Sequence, residues 1–241
     1  MKNAVKKITR RFGLYDSITS SIDYLTLPAG ATVLVHIGKC GGQSLRDGIK
    51  NAERNADLHV VHVRKPVYRK DLKYIIIARD PVSRLKSAFR WRYKLVVSDG
   101  SQSDAFKGEY DVLVKYGNLN RLAEALYHED GTANTVAQQE IRKIHHIRED
   151  IAFYLHDLLG KCEPSQVVAV LMQENLDEDI FRVFGYRNQL HQHSNPASEK
   201  DDTLTEAGLN NLKKFFAQDY EALIRLYCWG KIERDVLMKV I

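Results

Sequence analysis

Two short segments hold the side chains whose types and spacing suit chemistry on a phosphate-bearing ligand. The first is His36-Ile37-Gly38-Lys39-Cys40-Gly41-Gly42-Gln43-Ser44-Leu45. Glycines let a backbone approach a ligand closely, and the free N–H groups at a following helix start attract phosphate-like oxygens. Lys39 adds a point charge and Ser44 a hydroxyl donor. The order is not that of a Walker A loop, because Lys39 precedes Gly41-Gly42 instead of following the second glycine. The second segment is Arg79-Asp80-Pro81-Val82-Ser83-Arg84-Leu85-Lys86-Ser87-Ala88-Phe89. Arg79 offers a planar fork that matches a phosphate, and Ser87 offers a hydroxyl two helical turns further on. Arg84 and Lys86 read either as added positive charge at a site or as the solvated basic face of a helix.

Histidines supply the remaining candidates. An imidazole titrates near neutrality, so it suits a general base. His62 is favoured for that role over His59; the two lie three residues apart and face opposite ways on a strand. His36 precedes the loop and reads as a packed residue. His145, His146 and His156 lack the i, i+4 pairing of a helical zinc site and have no cysteine close by, so no metal is expected. Arg90-Trp91-Arg92-Tyr93 reads as a sugar-stacking cluster or as ordinary helix packing with solvated arginines.

These residues need strands and helices to hold them. The apolar runs 31–37, 58–63, 74–78 and 166–172 predict four buried strands. Helices are expected over about 44–55, over about 82–93 after the Asp80-Pro81 break, over 151–160 up to Gly160, and over NLDEDIFRVFG. The middle, about 96–147, reads as polar and mostly helical. TLTEAGLNNLKKFFAQDYEALIRLY predicts one or two amphipathic helices, with Thr205 as a cap. Apolar strands alternating with helices indicate an α/β fold with a central parallel sheet, whose ligands bind outside the carboxyl ends of the strands. The segments after Ile37, Val63 and Ala78 are those places.

Bulk properties narrow the class. The chain has 241 residues, enough for a single domain over 1–241. Its net charge of +5 suits an anionic partner. Cys40, Cys162 and Cys228 form no CxxC pair, which reads as reduced thiols and a cytoplasmic protein. No apolar run approaches the roughly 20 residues that span a bilayer. Residues 1–30 read as a basic N-terminal arm, solvated or in peripheral contact with anionic lipid, and the start lacks a signal-peptide core.

The two motif segments together resemble the PAPS-dependent sulfotransferase superfamily, and most closely its Golgi-type and bacterial carbohydrate-sulfotransferase branch. HIGKCGGQSL is similar to that branch's 5′-phosphosulfate loop, HIPKTGGTSL. RDPVSRLKSAF is similar to its 3′-phosphate motif at Arg79, Asp80, Pro81, Arg84, Ser87 and Phe89. LMQENLDEDIFRVFG and HSNPAS look like later family segments, so the resemblance spans roughly residues 31–227. Cys40 and Gln43 stand where hydroxyl residues are usual, and Gly38 replaces a proline. The resemblance implies a P-loop-like three-layer sandwich. It implies that Lys39, Cys40, Gly41, Gly42, Gln43, Ser44 and Leu45 hold the 5′-phosphosulfate of 3′-phosphoadenosine-5′-phosphosulfate (PAPS), and that Arg79 and Ser87 hold its 3′-phosphate. Lys39 and His62 would be catalytic, and the acceptor a hydroxyl compound, with a glycan first in line. A P-loop-type kinase or NTPase is the competing enzyme class, disfavoured by the loop order. A nucleic-acid-binding module is disfavoured because acidic residues interrupt any basic stripe.

Overall fold

A computed structural model describes residues 15–41, 45, 58–185 and 203–241. Four strands form one sheet: β1 (Thr32–His36), β2 (Leu58–His62), β3 (Lys73–Ala78) and β4 (Val167–Met172). Their order is β2-β1-β3-β4, and all three pairings are parallel. In register, His36 lies beside His62 on one side and Ile77 on the other. The two inner strands are almost wholly buried, as continuous apolar runs require of a sheet covered on both faces. β2 lies at the edge and is more open. The expected strands are all present, and the architecture is an α/β three-layer sandwich.

The helices begin where the side chains dictate. Helix α1 (Tyr15–Thr26) lies within the segment expected to be a basic arm. Its Asp23 is buried and pairs with Arg64 and His59, so this part of the segment is fastened to the body. Helix α2 (Pro81–Tyr93) starts with Pro81 in its first turn, and the Asp80 carboxylate accepts from Ser83 N at 2.7 Å. It runs on into a π-helical turn, Lys94–Ser98. The middle holds α3 (Glu109–Tyr116), α4 (Leu119–Ala125) and α5 (Thr135–Ile141), the last two capped by Asn118 and Asn134. After α6 (Ile151–Leu159) come β4 and α7 (Leu176–Phe184). The C-terminal stretch is two helices, α8 (Glu206–Phe215) and α9 (Ala217–Cys228), followed by a short α10 (Arg234–Leu237). Thr205 caps α8 by accepting from Gly208 N at 3.1 Å.

Two apolar clusters hold the layers. One joins the sheet to α6, α7, α9 and the C-terminal residues; the other joins α2 to α3–α5 and α8. Arg92 is not a solvated arginine. It is 2% exposed and forms a two-pronged pair with Glu109, both bonds 2.8 Å, in the second cluster. Among the described residues no helix is long and apolar enough to cross a membrane, and all three cysteines are unpaired.

Candidate functional site

The chain leaves β1 toward β2 on one side and returns through β3 on the other, so the carboxyl ends of the two inner strands form the topological switch point at which open α/β sheets have their ligand crevice. Lys39 follows β1 and Arg79 follows β3. Arg79 Nη1 donates to the Lys39 carbonyl at 3.3 Å, so the two motif segments meet. Lys39 has left-handed backbone (φ 71°) and so does Gly41 (φ 79°). A Cβ on Gly41 would overlap Gln173 Oε1, so the close approach of β1's loop to the end of β4 needs glycine there. The Lys39 ammonium lies 4.7 Å from the centre of the Trp91 ring. Burial first, and then the charge of Arg79, lower Lys39 to a pKa of about 8. No carboxylate among the described residues forms an ion pair with it. Lys39 and Arg79 thus stand close together at the ends of neighbouring strands.

Histidines line the other side. His62 stacks on His36 with ring centroids 4.2 Å apart, and its Nδ1 lies 2.9 Å from the His36 carbonyl oxygen. A carbonyl only accepts, so Nδ1 carries a proton, and in the neutral ring Nε2 is the nitrogen without one. His59 points the other way, into the pair of Asp23 and Arg64. The His146 ring centroid is 6.0 Å from that of His62, and its Nδ1 would sit 2.7 Å from a Cβ on Gly38. Burial, and next to it the neighbouring His145, bring His146 down to about 2, so it is neutral at any working pH. Glu149 lies beneath this pair. Burial pushes its carboxyl up, but bonding from His145 and the charges of His145 and Arg148 bring it down to about 2.

Arg84 ties the halves together. It is fully buried, and its Nη1 lies 2.7 Å from the His146 carbonyl, 3.3 Å from that of Glu149 and 3.5 Å from that of Gly38. The alternative of a solvated basic face therefore does not hold for Arg84. It is a clamp on the backbone of the loop and of the His146 turn. Arg84→Met is expected to lower stability by about 3 kcal/mol, since each buried acceptor left unsatisfied costs about 1–3 kcal/mol. A thermal melt checks this, with an expected drop of about 6–12 °C for a chain of this size.

Strain and unmet polar groups concentrate here. The non-glycine residues with positive φ among the described residues are Lys39, Val63 and His146. All three border the crevice, and for a β-branched residue such as Val63 this backbone is strained. Buried polar atoms without a protein partner include Arg79 Nε, Arg84 Nε and Nη2, His146 Nδ1, Gln173 Oε1 and Glu174 Oε2. Native interiors leave few such atoms, and a ligand is one way to satisfy them. In the sequence His146 figures only among the metal candidates and Trp91 only in the basic-aromatic cluster, so neither is expected here, and Gln173 lies unremarked in a family-like segment. Glu174, which accepts from Asp80 N at 2.9 Å, was visible only as part of a family-like segment. His145, His146 and Glu149 do bring ligand-type atoms within 4.8 Å of one another. The helical spacing is between His145 and Glu149, a pairing that a search for histidine pairs passes over. Glu149 Oε2 there accepts from His146 N at 2.7 Å and meets His145 Nδ1 at 3.0 Å, while Arg148 and Arg84 lie alongside. Those cations oppose a metal ion.

The expected site residues fall into three groups. Lys39, Gly41, Arg79 and His62 border the crevice. Cys40 and Leu45 are fully buried in the sheet's apolar cluster, so their side chains face the core. Burial pushes the Cys40 thiol up to about 12 and keeps it inert. Ser87 is half-buried on α2, and no contact joins it to Arg79. Gly42, Gln43 and Ser44, with most of the helix expected over 44–55, lie outside the described residues. Comparison with known protein families, with curated proteins and with solved structures finds no match for this chain.

Proposed function

We propose that the chain is a PAPS-dependent sulfotransferase acting on a hydroxyl acceptor, with glycans as the first class to test. The observation that carries this reading is the meeting of Lys39 and Arg79 at the ends of neighbouring inner strands, with spare donors on Arg79 and no carboxylate among the described residues paired with Lys39. A nucleotide bearing two separated anionic groups fits two such cations. The loop after β1 and the strand order also support the finer, P-loop-like reading of the sandwich.

In this scheme the acceptor oxygen forms a bond to sulfur as the bond from sulfur to the bridging phosphate oxygen breaks. The leaving electron pair goes to that phosphate, where Lys39 offsets the growing charge. His62 takes the acceptor proton on Nε2, the nitrogen its bond to the His36 carbonyl leaves unprotonated. Arg79 and Ser87 hold the 3′-phosphate.

His62→Ala is expected to lose on the order of 10²–10⁴ in turnover with donor-product affinity nearly unchanged, because a base acts in the transition state. Calorimetric titration with 3′-phosphoadenosine-5′-phosphate, beside sulfation assays on a glycan panel, measures both. Wild-type protein that fails to bind this nucleotide overturns the family reading. Loss of nucleotide binding in the variant alone would make His62 a binding residue instead.

A further inference from the structure

The outward face of α1 carries an exposed apolar stripe. Ile18, Ile22 and Leu25 are 44%, 52% and 80% exposed. At 3.6 residues per turn they fall within a wedge of about 60°. The opposite face is fixed, since Asp23 is buried against Arg64 and His59. Arg69 adds bonds to the carbonyls of Tyr24 at 3.0 Å and Leu27 at 2.8 Å. The helix therefore cannot roll to hide its stripe.

Charge completes the picture. Residues 1–14 contain Lys2, Lys6, Lys7, Arg10 and Arg11 and no acidic residue. Lys65 and Arg69, near α1 on the body, are already paired with Asp157 and Asp71. The unbalanced positive charge belongs to the segment that leads into the helix. An apolar stripe next to a polybasic segment is a two-signal match to an anionic bilayer, where neither signal alone holds a protein firmly. An apolar protein partner for the stripe would leave the five cations of residues 1–14 unmatched.

We propose that α1 and the preceding basic segment dock this protein on an anionic lipid surface, with Ile18, Ile22 and Leu25 entering the acyl boundary and the cations meeting the headgroups. The inference is independent of the enzymatic reading.

The test is co-sedimentation of the full chain with vesicles of phosphatidylcholine, with and without about 30% phosphatidylserine. Partition onto the anionic vesicles is expected to exceed that onto neutral ones by about tenfold or more, and to collapse at high salt. The double variant Ile22→Ser, Leu25→Ser should bind anionic vesicles about tenfold or more weakly with an unchanged thermal melt. Lys6→Gln with Lys7→Gln, which leaves the stripe intact, should also weaken binding. Absent or equal binding to both vesicle types overturns the proposal, and so does full binding by the stripe variant. Analytical ultracentrifugation adds a further arm: a wild-type dimer that the stripe variant converts to monomer would assign the face to a second copy and refute lipid docking.

Discussion

Lys39→Ala is expected to lower sulfuryl-transfer turnover by a factor of about 10²–10³, the usual effect of losing one charge stabiliser. The fold should survive. Alanine in left-handed backbone meets the same strain as lysine, so the substitution removes charge and little else. Lys39 stands at the mouth of the loop after β1, where burial and Arg79 hold its pKa near 8. The sign of the pH dependence follows. A lowered lysine pKa means the cation is lost as pH rises through about 8, so kcat/KM with limiting donor should fall on that alkaline limb. Lys39→Arg keeps its charge there and should flatten the limb even if its rate is lower. Steady-state kinetics of the three proteins across pH measure this. Near-normal turnover in Lys39→Ala would remove Lys39 from the mechanism.

Arg79→Ala is expected to erase most of the preference for a 3′-phosphate, about a hundredfold in affinity. Hydrogen bonds to charged groups contribute about 1.5–3 kcal/mol each, and 1.4 kcal/mol is about tenfold. One guanidinium N–H is used on the Lys39 carbonyl, while Nε is buried without a protein partner and remains for a ligand. Burial raises the pKa of Glu174 while the charge of Arg79 lowers it, which places a carboxyl group near this fork. A bound phosphate must therefore compete with Glu174, and the discrimination is expected nearer a hundredfold than a thousandfold. Ser87→Ala should remove a smaller part. Calorimetry of wild type and both variants, with adenosine nucleotides that carry or lack the 3′-phosphate, provides the comparison. Equal wild-type affinity for the two nucleotides would defeat the assignment.

The strands were legible because buried parallel strands are continuous apolar runs: YIIIA and TVLVH announce themselves. The cap at Thr205 was equally readable, since a hydroxyl ahead of a helical run has one obvious local task, and Pro81 marked the first turn of α2. Lys39, Arg79 and His62 were singled out because strand ends in such sheets are where ligands bind. What sequence could not give was partner identity. Arg84 and Arg92 look alike on the page, basic residues eight apart on one helix, yet both are buried and each meets a different group: backbone carbonyls for one, Glu109 for the other. His146 entered only as a weak metal candidate. Its position beside Gly38 and His62 depends on a turn after α5 that folds back onto segments far away in sequence. Cys40 was read as part of the ligand loop, but the turn after β1, left-handed at Lys39 and Gly41, carries its side chain into the core.

The order of the sheet also bears on how the chain is made. A ribosome releases β1, β2 and β3 early, yet the far side of β3 pairs only with β4, and residues 79–166 lie between them. Until that stretch has been synthesised, Tyr74 to Ala78 present an apolar edge with open backbone groups, the kind of surface on which nascent chains stick to one another. Pairing at such sequence distance is also slow, because the intervening loop must close before any contact compensates for it. Cooler growth, or a chaperone that shields the waiting edge, acts on the interval between translating β3 and β4.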